Sequence, residues 1–309
     1  MTTSTRIVAT AYGEPTTVLG QVEEELPPPG PGQVTVQVQA VGVNPIDLAR
    51  VTGRMGADES KLPLALGFEA SGVITAVGDG VDREVGDEVI AYSVLGAYAS
   101  ALNADDSKIH DKPADLDFER AAGLLLVGET AADAVATANV SAGDIVLVHG
   151  GSGAVGSVVV QLAVKAGATV IATGSSANQS FISGLGALPV TYGPGLLDRV
   201  VAAAPGVITS TIDAVGTDEA IDTSLSLHSA DKIVSIAAFG RGGDGIKLVD
   251  GSSAESKAHR AQAIPDLIAS AASGELVTEI ASTYPLADAA KALTELGGSH
   301  PRGKIILIP

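Results

Sequence analysis

Cysteine and tryptophan are absent from the 309-residue sequence, and aromatic residues make up only 3% of it. Without cysteine the chain can form neither a disulfide framework nor a thiolate metal site. Basic residues are also few, because 18 Lys and Arg stand against 36 Asp and Glu and leave a formal charge of −18. Such a surface repels nucleic acid and anionic lipid unless basic residues cluster, and the sequence has no run of Lys or Arg. We therefore expect neither a nucleic-acid partner nor a membrane partner.

Long apolar runs are missing too. The segment from Met1 to Arg6 lacks the apolar core of a signal peptide, and no apolar run approaches the length of a membrane span. Hydrophobic residues nevertheless make up 46% of the chain and charged residues only 17%, which is typical of a well-packed globular protein. A chain of this length favours two domains of ordinary size. These properties predict a soluble protein of the cytoplasm.

A glycine cluster near the middle of the chain is the strongest local signal. The apolar run 145–149 is followed by Gly151, Gly153 and Gly156 in a G-x-G-x-x-G arrangement, and then by apolar residues at helical spacing. Glycines of this kind let a backbone turn sharply and approach a pyrophosphate at a helix N-terminus. A second apolar strand is predicted at 169–173. The pattern predicts a dinucleotide site, with a glycine turn in some other α/β protein as the alternative.

The rest of the chain divides by its hydrophobic period. Up to about residue 110 the pattern alternates, as in 33–39, and predicts an antiparallel β module. Beyond it, strands alternate with helices at the spacing of βαβ units, which predicts a doubly wound parallel sheet. A final strand is predicted at 304–308. In the second half we predict helices at 118–138, 177–186, 258–273 and 286–296, and strands at 188–192, 207–212 and 232–238.

Six segments spread over nearly the whole chain carry a family resemblance. They are Gly42–Asp47, Leu66–Val73, Gly96–Ala99, Thr130–Ala131, Gly150–Gly156 and Arg302–Leu307. In this order they resemble the medium-chain dehydrogenase/reductase superfamily, and within it the zinc-free NADPH:quinone oxidoreductase branch. The resemblance implies a GroES-like catalytic domain at 1–120, a Rossmann dinucleotide-binding domain at 121–263 and a C-terminal return to the catalytic domain at 264–309. It also implies NADPH as reductant and a homodimer.

The same resemblance bears on metal chemistry. In the alcohol dehydrogenase branch Cys and His hold a catalytic zinc ion, whereas here the first ligand position matches Asn44 and the second matches Phe68. The histidines, at 110, 149, 228, 259 and 300, sit at no ligand spacing. We therefore predict a zinc-independent enzyme. Without a Lewis acid, hydride transfer suits an acceptor that delocalises negative charge, such as a quinone or another conjugated carbonyl.

The choice of nicotinamide cofactor depends on the residues after the strand at 169–173. An NAD site places Asp or Glu there to bind the ribose 2′-hydroxyl, but the segment 173–179 contains no acid. Ser175, Ser176 and Asn178 could hydrogen-bond a 2′-phosphate, although a helix N-cap could be the only role of the serines. By resemblance Thr173 and Tyr192 flank the same group. NADPH is predicted to be preferred, with weaker discrimination against NADH than in relatives with a basic residue there, because no Lys or Arg lies between 165 and 199.

The resemblance also assigns residues to the reacting end of the cofactor. It places Asn44 at the nicotinamide and the substrate carbonyl, and Thr130 beside the ribose. A proton donor is not carried over, which leaves Tyr92 and Arg50 as polar candidates that could equally be structural. Phe239 could equally be an ordinary core residue. The further cofactor contacts implied are Ala154, Val155, Ala214, Val215, Ala237, Ala238 and Phe239.

Three other functions remain open at this point. An enone or enoyl reductase of the same superfamily would use the same cofactor site. A non-catalytic NADPH-binding protein would keep the site without turnover, and the charge of −18 argues against a role on RNA. The segment 150–154 partly matches the G-x-S-x-G nucleophile elbow of hydrolases, but its last residue is alanine and no Asp and His pair follows convincingly.

Overall fold

The computed structural model describes residues 2–298 and 302–309, so His300 lies outside the described part of the chain. The chain folds as two compact units, the first made of Met1–Leu126 with Ile268–Pro309 and the second of Val127–Leu267. Within the described ranges, no helix combines the length and the apolar character needed to span a membrane.

The first unit is built on antiparallel strands. One sheet has the order β15-β16-β3-β5-β6-β8, with β7 also pairing with β3, and a smaller sheet has the order β2-β1-β4. Val34, Val36 and Val38 are fully or almost fully buried, as the alternating pattern predicted. Its elements are β1 (Thr2–Ala9), α1 (Pro15–Val18), β2 (Leu19–Leu26), β3 (Gln33–Val43), α2 (Pro45–Val51), β4 (Leu64–Ala65), β5 (Glu69–Val77), β6 (Glu88–Tyr92), β7 (Ala101–Asp105), β8 (Ile109–Asp111), α3 (Phe118–Ala122), β15 (Ile280–Pro285), α10 (Ala289–Gly298) and β16 (Lys304–Ile308).

The second unit is a parallel sheet with helices between its strands. The sheet has the order β11-β10-β9-β12-β13-β14, and every pairing in it is parallel. The carboxyl ends of β9 to β13 therefore meet at one edge, which we call the strand-end edge. The elements are α4 (Leu125–Thr137), β9 (Ile145–His149), α5 (Ala154–Lys165), β10 (Thr169–Gly174), α6 (Gln179–Gly184), β11 (Leu188–Thr191), α7 (Leu196–Ala203), β12 (Ser210–Asp213), α8 (Asp218–Leu227), β13 (Ile233–Ser235), β14 (Lys247–Leu248) and α9 (Ala254–Ala272).

The predicted fold class is therefore confirmed, while several element boundaries were wrong. The helix predicted at 118–138 is two helices, because α3 ends at Ala122, with Gly123 as its C-cap, and α4 begins at Leu125. Val207 was assigned to a strand but is 84% exposed, and β12 begins only at Ser210. β13 ends at Ser235, three residues earlier than predicted. The Ser235 hydroxyl accepts hydrogen bonds from the N–H groups of Ala237 and Ala238, and these bonds turn the chain away from the strand direction.

Candidate functional site

The glycine turn follows β9 as predicted, and bonds to the end of β10 fix it. Gly151 N donates to Thr173 O at 2.8 Å, and Gly150 N donates to Thr173 Oγ1 at 3.1 Å. Gly150 has φ +78°, a conformation that glycine adopts without strain. The sequence folds this way locally because the buried apolar strand 145–149 ends where glycines allow a sharp reversal into α5.

A Cβ placed on each glycine of the motif shows why the residue is needed. On Gly156 it would lie 2.1 Å from Gly150 O, and on Gly151 it would lie 2.7 Å from the Cβ of Ala172. On Gly153 it would meet only Gly150 O, at 3.4 Å, and otherwise open space. Gly151 and Gly156 allow the backbone to pack closely against neighbouring atoms of the same unit. Gly153 leaves the outer side of the turn without a side chain.

The helix after the turn offers donors on this bare side. Gly153 is the N-cap of α5, and the N–H groups of Ala154, Val155 and Gly156 lie before the first intrahelical donor, Ser157 N, which bonds to Gly153 O at 2.9 Å. A helix of 12 residues also brings a partial positive charge to its N-terminus. Backbone donors, a positive helix end and no side chain in the way together form a cradle that fits a ligand phosphate.

The end of β10 presents two serine hydroxyls. Neither Ser175 Oγ nor Ser176 Oγ has a hydrogen-bond partner among residues 2–298 and 302–309, and Ser175 makes no side-chain capping bond. Asn178 Nδ2 donates to Ser152 Oγ at 3.0 Å, which ties this segment to the glycine turn. The capping role that was the alternative for the serines is thus not the one Ser175 performs here.

The end of β11 carries a cation that sequence reasoning had placed too far away to matter. Tyr192 is 59% exposed, and its N–H donates to Gly174 O at 3.4 Å. Arg199, seven residues later on α7, folds back so that its guanidinium donates to Thr191 O, Gly193 O and Pro194 O. These three carbonyls flank Tyr192, so the positive charge lies beside the tyrosine. Only the three-dimensional fold reveals this placement.

The ends of β12 and β13 are held by one buried carboxylate. Asp213 accepts from the N–H groups of Val215 and Gly216, each at 3.1 Å, and from Ser235 Oγ at 2.6 Å. Ser235 Oγ in turn accepts from the N–H groups that follow it, at 3.1 and 2.8 Å. This network, which the sequence did not signal, fixes the turns that contain Ala214, Ala237 and Ala238.

Exposed apolar side chains collect at the strand-end edge. Tyr192, Val215 and Phe239 follow β11, β12 and β13 and are 59%, 46% and 54% exposed. Core packing, the alternative for Phe239, does not describe a side chain this accessible. Several large apolar groups at one edge of a sheet indicate a surface that a ligand covers. Thr130 belongs to the same unit, on α4.

His149, the last residue of β9, is buried beneath the glycine turn. Its Nε2 lies 3.1 Å from Ser224 Oγ and its Nδ1 lies 3.4 Å from Thr173 Oγ1. Burial lowers the pKa of His149 from 6.5 to about 4, although Asp213 and Glu219 act in the opposite direction. The ring is therefore neutral at ordinary pH and supports the turn as a hydrogen-bonded core group.

We predict that His149 makes folding sensitive to mild acid. A pKa that is lower in the folded state gives a stability contribution that is complete above pH 6.5 and is lost as the pH falls from 6.5 toward 4. The 2.5-unit difference corresponds to about 3 kcal/mol. Urea denaturation followed by circular dichroism should show the free energy of unfolding falling less steeply over this window in His149→Gln than in the unsubstituted protein. Parallel profiles for the two proteins would contradict the prediction.

In the first unit, Asn44 lies in a buried polar network. Lys304 Nζ donates to Asn44 Oδ1 at 2.6 Å, to Glu69 Oε1 at 2.9 Å and to Val43 O at 3.1 Å. Asn44 Nδ2 donates to the same Glu69 oxygen at 2.9 Å and to Gly42 O at 3.3 Å. Both ends of the Asn44 amide are thus held, and the Lys304–Glu69 ion pair sets its orientation.

A second buried polar pair, Asp47 and Tyr98, lies next to Asn44 at the start of α2. Asp47 accepts from Asn44 N at 3.0 Å, from Gly67 N at 3.1 Å and from Tyr98 Oη at 3.2 Å. Burial raises the pKa of Asp47 to about 6, and these hydrogen bonds only partly oppose it. Burial also raises the pKa of Tyr98 well above its usual value. Asn44 therefore starts α2 from a backbone that this carboxylate holds in place.

The structure separates the predicted residues into two groups. Those assigned to the pyrophosphate, the 2′-phosphate and the nicotinamide carboxamide meet along the strand-end edge of the second unit. Asn44 and Tyr92 belong to the first unit, where Tyr92 ends β6 opposite Glu69. Phe68, at the second zinc-ligand position, carries no donor atom, and no cluster of metal-ligating side chains is found in the described ranges.

Two family models match the chain. One, described as the alcohol dehydrogenase GroES-like domain, matches residues 30–139, and the other, described as zinc-binding dehydrogenase, matches residues 198–307. Together they extend over both units.

Individual relatives give the same result. The chain is 29% identical to the NADPH-dependent alkenal/one oxidoreductase of Arabidopsis thaliana chloroplasts over 90% of its own length and 72% of that protein, and it spans 14% to 58% of other curated relatives. Quinone oxidoreductase of Pseudomonas syringae is 31% identical, with a TM-score of 0.83 over 99% of this chain and 100% of that one. Escherichia coli quinone oxidoreductase, in a complex with NADPH, is 27% identical, with a TM-score of 0.86 over 99% and 100%.

Proposed function

Because the chain belongs to the medium-chain dehydrogenase/reductase family, we propose that it is an NADPH-dependent, zinc-independent reductase of quinones or related conjugated carbonyls. The observation that carries this proposal is the glycine cradle at 150–156, bare on the side where a phosphate would approach. The similarity to quinone oxidoreductases and to an alkenal/one oxidoreductase supports the reaction class.

Residues at the strand-end edge are proposed to bind each part of NADPH. The N–H groups of Ala154, Val155 and Gly156 would hold the pyrophosphate. The hydroxyls of Ser175, Ser176 and Tyr192 would bind the 2′-phosphate, and the guanidinium of Arg199 would supply the positive charge that the segment 173–179 lacks. Val215 and Phe239 would cover the nicotinamide half. When bound, NADPH supplies the hydride, and the chain binds and orients it.

Asn44 is proposed to face the nicotinamide and the acceptor carbonyl, with Lys304 and Glu69 keeping its amide in one orientation. Zinc independence is supported by the donor set, because Phe68 has no ligand atom and the Asn44 oxygen already accepts from Lys304. An acceptor that delocalises charge needs no Lewis acid. For a quinone, water can provide the proton, whereas an enone needs a positioned acid, for which Tyr92 is the candidate.

Steady-state assays test this function. We expect oxidation of NADPH by a panel of quinones, with NADH used less well and with activity unaffected by chelators. Turnover confined to small enones would instead favour an enone or enoyl reductase, an option that the name of the Arabidopsis relative supports. If NADPH binds, as followed by its fluorescence, but no acceptor oxidises it, the chain is a binding protein. A homodimer in the cytoplasm is proposed from the family resemblance alone.

A further inference from the structure

Arg50 is a partly buried cation without a counter-ion. It lies in the last turn of α2, six residues after Asn44. Within residues 2–298 and 302–309 its guanidinium has no carboxylate or hydrogen-bond partner, and its Nε is shielded from solvent and unsatisfied. The guanidinium carbon lies 5.5 Å from the centroid of the Phe68 ring, which fixes the planar group over an aromatic face.

Partly buried arginines elsewhere in the described chain have partners. Arg83 binds Asp106 and Asp111, and Arg260 binds the buried Asp133. A shielded donor without a partner costs free energy, and an acidic side chain could remove that cost. Arg50 Nε has no such partner in the described ranges, which is the arrangement expected if an external anion binds there.

Arg50 faces a pocket formed entirely by the first unit. The pocket measures about 250 Å³, the volume of about eight water molecules in the liquid. Above α2 the loop carries Gly56, where an added Cβ would meet no atom within 4 Å, so this side is open. The main lining side chains are Tyr12, Arg50, Met55, Asp58, Lys61 and Leu64.

The lining combines positive charge with apolar and aromatic surface. Its one carboxylate, Asp58, is engaged by Ser60 N at 3.1 Å and Ser60 Oγ at 2.7 Å and lies 3.6 Å from Lys61 Nζ. Tyr12 Oη is held by the backbone of Asp58. Lys61 is paired with Asp58, so Arg50 is the lining cation that has no carboxylate partner in the described ranges. The ring of Tyr12 and the side chains of Met55 and Leu64 form the apolar part of the lining.

We propose that this pocket binds a small carboxylic acid with a flat, conjugated body, and that the guanidinium of Arg50 holds its carboxylate through two parallel hydrogen bonds. In the reaction the ligand is a conjugated carbonyl acid, a step that rests on the proposed reductase function. Phe68, beneath Arg50, is followed by Glu69, which accepts from Asn44. The anion site is therefore linked through one peptide to the residue proposed to bind the carbonyl.

The first experiment measures binding without cofactor. Titration calorimetry with benzoate should show saturable binding to the unsubstituted protein, and benzamide, its neutral isostere, should bind about 10-fold or more weaker. Arg50→Met should abolish benzoate binding, and Arg50→Lys, which keeps a charge at the helix end but loses the planar fork, should restore only part of it. Arg54→Met, at an exposed arginine four residues away, should leave it unchanged. Equal binding of benzoate to Arg50→Met, or of benzamide and benzoate to the unsubstituted protein, would overturn the site.

The second experiment uses the enzyme with NADPH. The acceptor is trans-4-oxo-4-phenylbut-2-enoate, compared with its methyl ester. The alkene carbon β to the ketone accepts the hydride, and the α carbon accepts a proton that the candidate acid Tyr92 passes on from water, so that NADPH becomes NADP⁺ and the alkene is saturated. Arg50→Met should lower kcat/KM for the acid about 10- to 100-fold, mainly through KM, and leave the ester within about 2-fold. An equal loss for acid and ester would contradict the assignment. If neither compound oxidises NADPH although quinones do, the reductase proposal stands and a conjugated acid is not the substrate of this site. If quinones fail as well, the reductase proposal fails, and the benzoate titration alone decides the site.

Discussion

Replacement of Gly153 by valine is expected to weaken NADPH binding about 100-fold or more while the second unit stays folded. An added Cβ meets only Gly150 O, at 3.4 Å, so the turn accepts a side chain sterically. The φ and ψ angles of −75° and 169° also suit valine. The side chain would stand where the pyrophosphate has to approach the N–H groups of α5, and the loss of two charge-assisted hydrogen bonds accounts for the magnitude. Fluorescence titration with NADPH measures it.

A valine elsewhere in the same unit provides the control. Gly184 ends α6, is exposed and has no atom within 4 Å of an added Cβ, so Gly184→Val should bind NADPH normally. The stability cost of Gly153→Val should be only about 1 kcal/mol, the value of a poor N-cap. Undiminished NADPH affinity in a folded Gly153→Val protein would mean that no diphosphate lies against this turn.

Replacement of Lys304 by methionine is expected to destabilise the first unit by about 3–5 kcal/mol. The side chains of Lys304 and Glu69 are only 2% and 0% exposed, so removal of the ammonium leaves a buried carboxylate without its counter-charge. The Asn44 amide would lose its strongest donor at the same time. Thermal unfolding should show a midpoint roughly 10 °C lower.

Two further variants separate the buried charge from a general effect of losing a lysine. Lys291→Met removes an exposed lysine that pairs with Asp288 at 2.9 Å, and should change the free energy of unfolding by less than about 1 kcal/mol. The double variant Lys304→Met with Glu69→Gln removes both charges and should recover most of the lost stability while acceptor turnover stays impaired. If the double variant is no more stable than Lys304→Met alone, the stranded carboxylate is not the cause.

The parts of this molecule that could be predicted from its sequence are those set by local periodicity. The alternating valines of β3 and the order of strand, glycines and helix at 145–165 are short-range patterns. They predicted the antiparallel β module and the parallel sheet with helices. The prediction placed the end of β13 too late in the chain. The Ser235 hydroxyl accepts from two backbone N–H groups that would otherwise bond to a neighbouring strand, and the hydropathy pattern gives no sign of this bonding.

The contacts that the sequence did not reveal are long-range and polar. Asp213 binds Ser235, 22 residues away, and Lys304 binds Asn44, 260 residues away. Nothing in the pattern of the final strand marks its lysine as buried, since a lysine at the start of a strand is ordinarily solvated. The sequence shows no Lys or Arg between 165 and 199, and only the structure reveals that the Arg199 side chain folds back to the carbonyls beside Tyr192. Arg50 stood out in the sequence only as a polar candidate, and its lack of a partner required the structure.

The strand β16 has a consequence for how the protein is made. It pairs with β3 and places Lys304 against Asn44, so the first unit stays incomplete until Lys304–Ile308 have left the ribosome. The second unit is already whole when Leu267 emerges, and domains fold as units during synthesis. The glycine turn is therefore complete before the Asn44 amide is held in place, so the proposed cofactor site would form before the proposed acceptor site.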